Sequence, residues 1–187
     1  DWLNSTAEPV PIPLRALPDS ALQLPCSYDS AGFPLTAGNI AEGKRVGPWL
    51  FFHPNFEPAA MGNFDRYGNR SGPWFYFDST GTLTNLENYY YGQLQGSVKT
   101  FYPNGALRQH YQAQADYLHG PVLEFYANGG LKAEYAMEDD QLHGPFSSYY
   151  PNGRPKRIAQ FANGAQVGKE TYFHPNGNPQ MVAYYSK

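Results

Sequence analysis

Cysteine is almost absent: Cys26 is the only one in 187 residues. With a single thiol no intrachain disulfide can close and no multi-cysteine metal site can form, so stability has to come from packing and hydrogen bonds. Charge is scarce as well, at 16% of residues with a formal net charge of -3. A protein that neutralises a run of phosphates needs a positive stripe, so a nucleic-acid partner is disfavoured. An anionic membrane surface is disfavoured on the same ground, and membrane contact is expected at most through an N-terminal tether. Nowhere does the chain approach the roughly 18 consecutive apolar residues of a membrane helix. The five histidines, His53, His110, His119, His143 and His174, form no helical metal pair, and no nucleophile elbow occurs. Gly164 to Glu170 imitates a phosphate loop but is one residue short and has Glu170 where the metal-binding Ser or Thr belongs. Nothing calls for a cofactor, and no carboxylate pair or nucleophile beside a base stands out, so the expectation is a protein that is not an enzyme.

What is abundant is turn and strand material: 19 Gly, 17 Pro, and aromatics at 17%. This mixture favours β-structure with many turns, and the glycines are periodic. Gly47, Gly72, Gly96, Gly120, Gly144 and Gly168 step by 25 and then by 24 residues. Nine residues after each of the last five comes a second glycine, Gly81, Gly105, Gly129, Gly153 or Gly177, usually in Pro-Asn-Gly or Ala-Asn-Gly; the first repeat has Pro54-Asn55-Phe56 there. Tyr102-Pro103-Asn104-Gly105 suits a type I turn closed by a left-handed glycine. Strand-length aromatic and β-branched runs flank it, and stretches such as Asp116 to Gly120 and Asp140 to Gly144 read as the second turn of each unit. The expected fold is therefore all-β: an elongated, twisted antiparallel meander sheet of six tandem β-hairpin repeats of about 24 residues over 43–187. Residues 1–42 form a Pro-rich N-terminal extension or cap, acting as a tether or as a strap over the first edge strand.

Reading columns down the array, Phe52, Phe77, Phe101, Phe125, Tyr149 and Phe173 form an unbroken aromatic row, expected to be the buried spine. The opposite face carries mixed rows, among them Trp49, Trp74, Val98, Val122, Phe146 and Glu170.

The pattern at Gly120 to Met137, Gly-Pro-x-x-x-Phe-Tyr-x-Asn-Gly-x-Leu-Lys-x-Glu, resembles the bacterial variant of the MORN repeat in YwqK-like antitoxin proteins. That resemblance implies an antitoxin or immunity protein that binds and silences a cognate toxic effector, a secreted antibacterial phospholipase being the specific version. Separately, a Pro-rich start at Asp1 without an initiator Met reads as though a secretory signal had been removed, giving a periplasmic or otherwise exported location as the expectation; a cytoplasmic protein with another boundary is the alternative. Two other readings remain: a membrane-peripheral scaffold for lipid head groups, and a structural envelope protein assembling through sheet edges.

The partner-binding residues expected from sequence are Tyr76, Tyr102, Glu124, Tyr126 and Tyr150, which offer large amphipathic surface on one face. The alternative for the column Tyr102, Tyr126 and Tyr150 is packing beneath the N-terminal segment or along the sheet face. The acidic run Glu138, Asp139 and Asp140 is either a solvated turn or a patch that steers a partner of opposite sign, as are Arg154, Lys156 and Arg157. His119 and His143 occupy equivalent turns, where turn decoration is the expectation over a shared ligand.

Overall fold

Two kinds of turn alternate along each period and fold it into a hairpin. In the computed structural model, which describes residues 24–186, the first kind joins the outgoing to the return strand. At Tyr102–Ala106 the Tyr102 N–H donates to Ala106 O at 2.8 Å and the Gly105 N–H to Tyr102 O at 2.9 Å. Gly105 has φ +80°, the left-handed closure that the sequence predicts. The same bonds recur at 29–33, 53–57, 65–69, 78–82, 126–130, 150–154 and 174–178. In the first repeat Phe56 takes the left-handed place itself, at φ +72°.

The second kind is a two-residue turn with both φ positive: Glu42-Gly43, Tyr91-Gly92, Ala115-Asp116, Asp139-Asp140 and Asn163-Gly164. Such turns match the right-handed twist of the strands they join. They lie a few residues earlier than the sequence reading put them. Gly120 and its equivalents sit inside strands, at positive φ and at register breaks, so each repeat glycine is a bulge residue rather than a turn residue. The proline that often follows is tolerated at these bulges, where the regular ladder is interrupted. Between Phe64 and Arg70 the longer Asp65–Asn69 turn replaces the two-residue one, which accounts for the single 25-residue step.

The strands are β1 (Cys26–Tyr28), β2 (Pro34–Ala41), β3 (Lys44–Phe52), β4 (Pro58–Phe64), β5 (Arg70–Phe77), β6 (Leu83–Tyr90), β7 (Gln93–Leu94), β8 (Gly96–Phe101), β9 (Leu107–Gln114), β10 (Tyr117–Phe125), β11 (Leu131–Glu138), β12 (Gln141–Tyr149), β13 (Pro155–Ala162), β14 (Ala165–Phe173) and β15 (Pro179–Tyr185). All are antiparallel in one open meander sheet in chain order, with β7 pairing β6 beside the main path. No helix occurs among the described residues. Of the segment set apart as 1–42, β1 and β2 continue the sheet as one more hairpin before the six; Pro9 to Pro13 and the apolar residues up to Leu22 lie outside the described residues. Pro155 and Pro179, which replace a leucine, are the first residues of full-length β13 and β15, where a missing N–H is tolerated.

The buried row is not the one expected. Phe52, Phe77, Phe101, Phe125, Tyr149 and Phe173 are only half-buried, whereas Trp49, Trp74, Val98, Val122 and Glu170 on the opposite face are buried, Val98 completely. Register breaks at both ends of the repeats sharpen the twist, and on the Trp face neighbouring strands close over each other's side chains. Small residues make room across the strands. A Cβ on Gly38 would lie 2.2 Å from the Trp49 ring and one on Gly62 2.3 Å from the Trp74 ring. Each indole N–H donates to a carbonyl at a bulge, Asn39 O or Asn63 O, at 3.2 Å.

Candidate functional site

Inter-repeat hydrogen bonds define both long edges of the sheet, and several residues singled out by sequence belong to them. On the edge of the left-handed-glycine turns, the hydroxyls of Tyr102, Tyr126 and Tyr150 donate to Phe125 O, Tyr149 O and Phe173 O at 2.7–2.8 Å. Asn104 and Asn152 amides reach Ala127 O and Pro175 O alongside them. In the first repeat His53 and Asn55 do the same, reaching Phe77 O and Ser79 O. The tyrosine column is thus a row of clasps between consecutive repeats, with half-buried rings.

On the opposite edge Asp140 has φ +64°, strained for a residue with a Cβ. Its carboxylate accepts the Leu118 N–H of the preceding repeat at 2.8 Å, as Asp116 accepts that of Leu94 at 2.7 Å. Asp139 lies 3.6 Å from His119, and Glu138 lies 3.2 Å from His143. The acidic run therefore faces three different partners and sits at the other end of the strands from the tyrosine clasps. His119 and His143 each turn to a carboxylate, and no group of three metal-ligating side chains occurs among the described residues.

Between the edges, on the Trp face, runs a row of mid-strand residues: Tyr76, Asn85, Thr100, Gln109, Glu124, Ala133, Ser148 and Arg157, partnered strand to strand. At its N-terminal end Tyr76 belongs to an aromatic box. The Arg70 guanidinium lies 4.7 Å from the Trp74 ring centroid and donates to the hydroxyls of Tyr76 and Tyr89, each at 2.9 Å. Burial, the Tyr89 hydrogen bond and the Glu87 charge push the Tyr76 phenol up, so it is neutral at any physiological pH.

Further along, the row includes the small residues Thr100, Ala133 and Ser148, and the surface sinks into two depressions. One, of about 460 Å³, is lined by Asp78, Asn85, Thr100, Arg108 and Gln109 among others; the Thr100 hydroxyl there is buried without a partner among the described residues. The other, of about 400 Å³, spans β10 to β13 and is lined by Glu124, Tyr126, Lys132, Tyr135, Phe146 and Lys156 among others, over a floor of Ala133 and Ser148. Glu124 organises this second depression. It pairs with Lys132 at 3.2 Å and accepts from Gln109 at 3.1 Å and Tyr135 at 3.0 Å. Burial alone would raise this carboxyl, but those three bonds outweigh it and hold it below the ordinary range. Burial and the same carboxylate push the Tyr135 phenol up to about 12.

Of the expected site residues, then, Glu124 and Tyr126 are brought together in one depression. Tyr76 stands apart in its arginine box, Tyr102 and Tyr150 lie along the clasp edge, and Glu138, Asp139 and Asp140 lie on the far edge. The sequence reading passed over Gln109, Lys132 and Tyr135. For Lys132 the signal is the return-strand column Arg108, Lys132 and Lys156, basic at a 24-residue spacing, which places a cation in or beside each depression.

The MORN repeat variant matches residues 94–113, 118–137, 142–163 and 166–187. No curated protein matches the chain. Among solved structures, a mutant of S. aureus TarM in complex with Fondaparinux, alpha-GlcNAc-glycerol and UDP is similar over 51% of this chain, at 14% identity and a TM-score of 0.36. The match spans only 19% of that chain, and a likeness this distant bears on neither fold nor function.

Proposed function

We propose, from the premise that this chain carries MORN-variant repeats across residues 94–187, that it is a repeat-based binding scaffold whose partner is a cognate toxic effector. The protein is then an antitoxin or immunity factor that acts by covering its partner and catalyses nothing itself. The observation that carries this reading is the depression over β10 to β13. It combines aromatic walls, one partly neutralised carboxylate and the cations Lys132 and Lys156, the mixture of amphipathic rings and placed charge that anchors protein interfaces. Arg108 extends the cationic line to the neighbouring depression, which suits a partner that presents carboxylates across the strands. A secreted antibacterial phospholipase, met in the periplasm, is the specific effector proposed.

Coexpression of the chain with the product of its neighbouring gene tests the role. Cells should survive that product only when the scaffold is present, and death despite well-folded scaffold counts against it. Filling the floor with Ser148→Trp should weaken partner binding by about tenfold or more, equivalent to roughly 1.4 kcal/mol, while leaving the circular dichroism spectrum intact. Unchanged affinity would move the interface elsewhere on the sheet. Tyr102→Phe, Tyr126→Phe and Tyr150→Phe combined separate clasp from contact, since the rings stay and only the inter-repeat bonds go.

A further inference from the structure

The hairpin turn of the sixth repeat carries clasping side chains with no acceptor among the described residues. In the first repeat His53-Pro54-Asn55 reaches across to the segment Phe77-Asp78-Ser79-Thr80-Gly81, with the His53 ring on Phe77 O at 2.9 Å and the Asn55 amide on Ser79 O at 2.6 Å. His174-Pro175-Asn176 repeats that triplet. The Asn176 side-chain oxygen bonds within its own turn, to Asn178 N. The His174 ring and the Asn176 amide nitrogen have no acceptor among the described residues. Beside them β15 pairs only with β14 among the described strands, and its Met181, Val182 and Tyr184 are exposed.

The matching acceptor stands at the opposite end of the sheet. β1 pairs only with β2 among the described strands and leads into Tyr28-Asp29-Ser30-Ala31-Gly32, the counterpart of Phe77-Asp78-Ser79-Thr80-Gly81. The two turns are built alike. Asp29 accepts the Ala31 and Phe33 amides as Asp78 accepts those of Thr80 and Thr82. Both end in a left-handed glycine, Gly32 at φ +86° and Gly81 at φ +81°.

We infer that this chain associates head to tail with a second copy of itself. β15 pairs antiparallel with β1 of the second copy, and His174 and Asn176 clasp the Tyr28 and Ser30 carbonyls of that copy. The contact continues the repeat-to-repeat interface already used six times within the chain, and it is independent of the partner-binding depression. Its register follows from the internal one. Arg157 faces Tyr172 and Ile158 faces Thr171; moved on by one repeat, Met181 faces Ser27 and Val182 faces Cys26 of the second copy. Such a contact uses two different surfaces, so it leaves an open end at each addition and builds chains in place of closed dimers. With β1 only three residues long, association is weak and concentration-dependent.

The chain's single cysteine makes the register testable. Under mild oxidation at high protein concentration, full-length Val182→Cys should give a ladder of disulfide-linked dimers, trimers and longer species. Adding Cys26→Ser should collapse the ladder. A cysteine on a remote turn, Asn104→Cys, should give no comparable ladder. In sedimentation equilibrium the unaltered chain should gain weight-average mass with concentration, and His174→Ala with Asn176→Ala should raise the concentration needed at least about tenfold. Two results overturn the proposal. Val182→Cys dimers that persist without Cys26 mean symmetric pairing of two β15 edges. A monomer at every concentration, with no Val182→Cys ladder, means that the two edges do not meet, whether covered by residues 1–23 or by another protein's strand.

Discussion

At position 56 a phenylalanine holds the left-handed backbone that glycine holds in the later hairpin turns, at φ +72°. A Cβ in that region costs about 1 kcal/mol or more, offset in part by the edge contact of Phe56 with Phe33 at 5.1 Å between ring centroids. Replacing Phe56 by Gly should therefore leave stability unchanged or raise it by up to about 1 kcal/mol, measured by urea unfolding. A loss above that amount would mean the Phe33 contact dominates. Gly62 is the converse case, because its conformation is ordinary and only space is lacking. A methyl there would sit within 2.3 Å of the Trp74 ring, so Gly62→Ala should cost about 1–3 kcal/mol or more as the indole is displaced. Stability equal to wild type would show that Trp74 moves aside freely.

Between the last two hairpins the decisive feature is the β13–β14–β15 cluster. Glu170 is buried, accepts from Arg157 Nε at 2.6 Å and from Tyr185 at 3.0 Å, and lies with Arg157 among Phe146, Phe161 and Tyr172. Burial raises its carboxyl, yet the nearby Gln166 amide, the bonds from Arg157 and Tyr185, and the nearby Tyr172 hydroxyl outweigh that and hold it below the usual carboxylate range. A carboxyl depressed in the folded state stabilises fully above its unfolded value, about 4.3, and loses that contribution as pH falls through the folded value. Thermal stability should therefore decline below about pH 4.3, and less steeply in Glu170→Gln; equal acid slopes would remove Glu170 from the account. Arg157→Ala leaves the buried charge without its cation and should cost about 3–5 kcal/mol.

Across the whole molecule stability is a sum of repeats and of the clasps between them. The interior strands β5 to β13, β7 aside, have neighbours on both sides and contain most of the buried row, whereas β1 and β15 have one neighbour each among the described strands. Hydrogen exchange should be slowest at Trp74, Val98 and Val122 and fastest at Cys26–Tyr28 and Pro179–Tyr185. Uniform protection from end to end would instead mark a single cooperative unit, or edges that are covered in solution.

The spacing of glycines by itself determined the strand count of the six repeats, their antiparallel order and the type of the hairpin turn, because left-handed backbone is a local demand that only a few residues meet cheaply. Gly81, Gly105, Gly129, Gly153 and Gly177 could be assigned that way without coordinates. The extra hairpin before residue 43 escaped notice because it lacks the Gly-Pro bulge, although Tyr28-Asp29-Ser30-Ala31-Gly32 already carried its turn. Only the tertiary structure decided which face is buried. Alternation assigns residues to faces but cannot tell which way a one-layer sheet coils, and Phe52 and Trp49 are equally apolar on paper. Tertiary structure also decided that Tyr102, Tyr126 and Tyr150 spend their hydroxyls on the next repeat's carbonyls, and that Lys132 and Tyr135 gather around Glu124. Those contacts depend on bulges and on strands meeting across two repeats, distances that a column of letters does not contain.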